Sequence, residues 1–124
     1  MNVATWIVQI VLAAAMVFAG GTKLGRNRKD LVVSGMPWAE DFGDNAVKLI
    51  GLAEVVGAVG LILPWALDVA PVLTPIAGVG LALLLLGAAV VHARRKEFQG
   101  IVPPLVLALA GAFVAVARFA DLAS

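Results

Sequence analysis

Four long stretches of this chain carry almost no ionisable side chain, and that spacing decides what the chain can fold into. Val3 to Thr22, Val69 to Val91 and Gly100 to Ala117 contain none, and Ala46 to Leu67 contains only Lys48 and Glu54. Each is close to the roughly 20 residues that a helix needs to cross about 30 Å of hydrocarbon. The sequence therefore predicts an all-α, integral-membrane four-helix bundle. Its helices span about 3–22, 46–67, 70–92 and 101–119 within one membrane domain, 1–124. Composition agrees, since 62% of the 124 residues are hydrophobic against about 45–50% for soluble domains.

Composition also narrows function. Nine basic and eight acidic residues leave a net charge of +1, which offers no electrostatic footprint for nucleic acid. The chain has no cysteine and one histidine, so thiol chemistry, disulfides and a metal or haem site built from this chain alone are not expected. The expected partner is the lipid bilayer. The first apolar run is expected to be a mature helix rather than a cleaved signal. No basic residue lies in Met1 to Thr5, and the run exceeds the roughly 7–15 apolar residues of a signal core.

Basic residues set the expected orientation. Lys23, Arg26, Arg28 and Lys29 follow the first run, and Arg94, Arg95 and Lys96 follow the third, whereas the carboxyl end has only Arg118. The positive-inside rule then puts both basic loops in the cytoplasm and both termini outside. Trp6, Trp65 and Phe119 fall at the outer interface, and Trp38, Phe42 and Phe98 at the inner one, where aromatic rings concentrate. The first loop has room for a short amphipathic segment, from Arg28 to Ser34 and again from Pro37 to Phe42. Thr74-Pro75 has the form of a helix start, with Pro71 as an alternative, and Pro103-Pro104 suits the first turn of the last helix. Small residues four apart, Ala53 and Gly57 or Gly111 and Ala115, make narrow faces that suit helix packing or self-association.

The candidate site residues are the few polar groups within the runs. Glu54 lies about 12 Å below the cytoplasmic end of the second helix, where a carboxylate is costly unless paired, protonated or facing the bundle interior. Lys23 and His92 approach it from the same side. Lys48 is nearly two turns away on its own helix and is expected to snorkel to the interface. As an acid–base pair, Glu54 and Lys23 are candidate catalytic groups. Gln9 is expected to form an interhelical hydrogen bond. Arg118, about 25 Å along the last helix from Ile101, is expected to snorkel or to pair with Asp121 in a solvated position.

Phe18-Ala19-Gly20-Gly21-Thr22-Lys23-Leu24 resembles the F-x-G-x-x-K-L ending of the first helix in the DoxX and DoxX-like membrane proteins. Gly51-Leu52-Ala53-Glu54, followed by Gly57 and by Gly60-Leu61-Ile62-Leu63-Pro64, is similar to their second-helix pattern. His92-Ala93-Arg94-Arg95-Lys96-Glu97 resembles the basic turn before their fourth helix, and Arg118 matches an arginine near their carboxyl end. The resemblance implies a small inner-membrane protein. It further implies an accessory or anchor role in a quinone-linked oxidoreductase assembly, with quinone as a bound cofactor and a redox protein as partner, or else a binder of a lipophilic small molecule. The residues themselves also fit two other classes: a membrane enzyme acting on a lipophilic substrate through Glu54, and a proton-linked transport element.

Overall fold

The computed structural model describes residues 2–26, 29 and 42–124. Four helices run up and down in sequence: α1 (Asn2–Gly25), α2 (Asp44–Leu67), α3 (Leu73–Arg94) and α4 (Val102–Ala123), the last entered through a short 3-10 helix, Phe98–Ile101. All four are long and apolar enough to cross a membrane. The amphipathic segment expected in the first loop lies outside the described residues, apart from Lys29 and Phe42.

Helix limits depart from expectation where polar residues continue a helix or a turn interrupts one. α1 runs on through Lys23 to Gly25 and α3 through His92 to Arg94, because backbone bonding does not stop at the hydrocarbon edge. α3 begins at Leu73 rather than at residue 70. Asp68 and Ala70 adopt left-handed backbone angles, φ 53° and 47°, and the Asp68 and Val69 amides return to the Trp65 and Pro64 carbonyls. Thr74 does not cap α3. Its hydroxyl donates instead to the Gly60 carbonyl of α2 at 2.9 Å. Pro64 lacks the amide hydrogen that would have bonded to that carbonyl four residues back, so Thr74 satisfies the acceptor the proline leaves open.

The helices associate as two close pairs. α1 meets α2 at Gly20 and Gly51, where a Cβ on Gly20 would lie 2.5 Å from the Gly51 carbonyl oxygen. α3 meets α4 at Gly78 and Gly111, where Cβ atoms would lie 2.7 and 2.8 Å from the opposite glycine's carbonyl oxygen. The narrow face at Gly111 and Ala115 is thus filled within the chain by α3. Ala53, by contrast, is exposed, while Gly57 packs on Leu81, so those two small residues do not share one buried face.

The pairs join through Leu12, Met16, Leu61, Leu81 and Val114 at mid-height. Towards the end that holds both termini, Gly60 approaches Ala77. Towards the opposite, basic end, where Lys23, Arg26, Arg94, Arg95 and Lys96 lie, a cavity of about 550 Å³ lies between the pairs.

Candidate functional site

Lys23 and Glu54 are where they are because of the glycines beside them. Gly20 and Gly51 let α1 and α2 come close enough for Lys23, three residues after one, and Glu54, three residues after the other, to meet. Lys23 Nζ lies 2.7 Å from Glu54 Oε1, and the two side chains are only 8% and 6% exposed. Of the bases that approach from this side, the structure pairs Lys23 with Glu54.

The other two serve different groups. Lys48 Nζ donates to the carbonyls of Lys23, Leu24 and Arg26 at 3.1, 3.0 and 2.6 Å. The open carbonyls at the carboxyl end of α1 therefore receive a cation, which the helix dipole also favours. His92 Nδ1 lies 3.0 Å from Glu97 Oε1, while Arg95 Nε donates to Glu97 Oε2 at 3.1 Å. The Arg95 hydrogen bond, with a smaller contribution from His92, holds the Glu97 carboxyl below its ordinary value.

The Lys23–Glu54 pair forms part of the wall of the 550 Å³ cavity. The rest of the wall is mainly apolar, with Met16 from α1, Leu84 and Ala88 from α3, and Leu107 from α4, while His92 and Phe42 stand at its basic end. Leu83, on the same wall, is 65% exposed, and Gly87 is exposed too, so the cavity opens sideways through the bundle. Sequence reading found Glu54, Lys23 and His92 but not the α3 side chains. Leu84 and Ala88 are ordinary apolar residues until the parting of the two pairs gives them a space to line.

A second polar cluster occupies the terminal end. Arg118 is 1% exposed rather than solvated, which corrects the expectation. Its Nε donates to Gln9 Oε1 at 2.6 Å, and its Nη1 donates to Asn2 Oδ1 and Asp121 Oδ2 at 2.8 and 3.0 Å. The guanidinium carbon stands 4.4 Å from the Trp65 ring centre and 5.5 Å from that of Trp6, within the range of cation–π attraction. Gln9 Nε2 in turn donates to the Leu61 carbonyl at 2.6 Å, the interhelical bond expected of it. Asn2, Trp6 and Gln9 lie about a turn apart on α1, which is the sequence signal for a polar stripe that receives Arg118.

The sequence model of the DoxX-like family matches residues 7–115. The chain belongs to the DoxX-like family. No curated protein and no solved structure matches it. In this DoxX-like protein the first-helix pattern supplies Gly20 and Lys23 and the second-helix pattern supplies Gly51 and Glu54, and all four meet at one helix crossing. Among the described residues no group of three or more His, Cys, Asp or Glu side chains is placed to hold a metal ion.

Proposed function

We propose that this DoxX-like protein is an inner-membrane accessory subunit that holds a lipophilic small molecule in the cavity at its basic end. The apolar part lies against α3 and α4, and the polar head lies against Lys23 and Glu54. The observation that carries this reading is an apolar cavity, within the usual 300–1,000 Å³ of ligand sites, whose wall includes a buried ion pair. Such a pair places a donor and an acceptor side by side in an otherwise apolar space. The lateral opening past Leu83 gives access from the bilayer. A quinone head, a flat ring with oxygen acceptors, suits an apolar slot with an ammonium on its wall. Bound there, it supplies the redox chemistry that an oxidoreductase partner would use. The positive-inside rule, applied to the basic loops, supports a cytoplasmic position for this end and both termini outside.

The same wall supports a second reading, a small membrane enzyme in which Glu54 is general acid or base and Lys23 its charge partner. A transport role has less support. Leu12, Met16, Leu61 and Leu81 pack at mid-height, between the Lys23–Glu54 pair and the Arg118 cluster.

Native mass spectrometry of protein purified in mild detergent tests the proposal. Wild type is expected to retain a lipophilic mass that Ala88→Trp, which fills the cavity, does not. Equal retention by both proteins, or none by wild type, would overturn it. If the retained molecule is chemically altered by wild type but not by Glu54→Gln, the enzyme reading replaces the accessory one.

A further inference from the structure

His92 sits in the last turn of α3 and lines the basic end of the cavity. Its Nδ1 is engaged by Glu97 at 3.0 Å, and the other oxygen of that carboxylate accepts from Arg95 at 3.1 Å. A guanidinium therefore shares the carboxylate, and because a carboxylate oxygen only accepts, a neutral imidazole at this position meets it with Nδ1–H. Gly100 packs against the same ring, since a Cβ there would lie 2.6 Å from His92 Nδ1. The imidazole is thus held both by a carboxylate and by close backbone. An imidazole that donates through Nδ1 carries its lone pair on Nε2, and Nε2 has no hydrogen-bond partner among the described residues.

We propose that His92 reads the head group of the cavity's ligand, with Nε2 accepting a hydrogen bond from a hydroxyl, so that the ligand class is a lipophilic alcohol or phenol, the reduced quinol form of a quinone included. This rests on the reading of the cavity as a ligand site. An acceptor selects molecules that bring a donor, and a site built around such a bond discriminates against an analogue that lacks it. Arg94, Arg95 and Lys96, which closely follow His92 in the chain, disfavour a cationic head. Glu54 and Glu97, together with the acceptor itself, disfavour an anionic one.

A long-chain alkylphenol and its methyl ether differ in little but the donor, and their affinities for the purified protein in detergent test the assignment. At about pH 8.5, where an imidazole is ordinarily neutral, wild type is expected to prefer the phenol by about tenfold, the worth of one net hydrogen bond. His92→Phe is expected to abolish the preference and leave the ether's affinity within about twofold. Glu97→Ala, which keeps the imidazole but frees it, is expected to weaken the preference, so the test does not depend on one variant folding. Equal binding of the two probes to wild type, or a preference that survives His92→Phe, overturns the role of His92 while leaving the cavity as a ligand site. Failure of both probes to bind overturns the cavity reading and this assignment together.

Discussion

Glu54 is tolerated in the apolar length of α2 because the Lys23 ammonium meets it at 2.7 Å. Removing either partner leaves the other charge uncompensated in a dry site, at a cost of about 3–5 kcal/mol. Glu54→Gln and Lys23→Met are each expected to lower stability by that order, and the double variant by clearly less than their sum. Unfolding in detergent measures this coupling, and strict additivity would contradict the pair. The pairing could be read from sequence because both residues fall at similar depth from the same end of adjacent helices. Arg118 could not be read so easily. Its position along α4 suggested a solvated end, whereas burial depends on Trp6, Trp65, Asn2 and Gln9 arriving from two other helices. Its contact with Asp121, three residues on, was visible in the sequence because it is local.

At the scale of the helices, the close crossing of α1 and α2 depends on which of two adjacent glycines faces inward. Gly20 has the Gly51 carbonyl and the Val55 side chain where a Cβ would stand, and Gly21 has nothing within 4 Å. Gly20→Ala is therefore expected to push the helices apart and destabilise the protein by about 1–3 kcal/mol. Gly21→Ala is expected to be neutral or slightly stabilising, because alanine favours a helix by up to about 1 kcal/mol over glycine. Equal effects in an unfolding titration would contradict the crossing. The number and order of helices could be read directly, since charge-free runs of membrane length allow little else. Their ends could not, because a helix continues past the last apolar residue until a turn stops it. Asp68 and Ala70, with left-handed backbone, form that turn before α3. Thr74 shows the same limit in a side chain: beside Pro75 it reads as a cap, but the carbonyl left open by Pro64 on the facing helix takes its hydroxyl.

For the whole molecule, orientation and the parting of the helix pairs together determine where a ligand enters. With the basic loops inside, single cysteines at Val69 and Ser124 are expected to react with an impermeant thiol reagent on intact cells. Cysteines at Asn27 and Gln99 are expected to react only after the membrane is opened, and the native chain contributes no background because it has no cysteine. Reversed labelling would place the cavity in the outer half. The cavity itself was only partly legible: Glu54, Lys23 and His92 stand out by chemistry, but the space between them exists because the pairs close at the terminal end and separate at the other. The most direct test of the account is the melting temperature of the purified protein in detergent with and without a short-chain prenylated benzoquinol, kept reduced under inert gas, for wild type and Ala88→Trp. A ligand at about 100 times its dissociation constant adds about 2.7 kcal/mol to the folded state, so wild type is expected to melt several degrees higher with the quinol while Ala88→Trp does not respond. No rise in wild type, or the same rise in both proteins, would contradict a ligand site in this cavity.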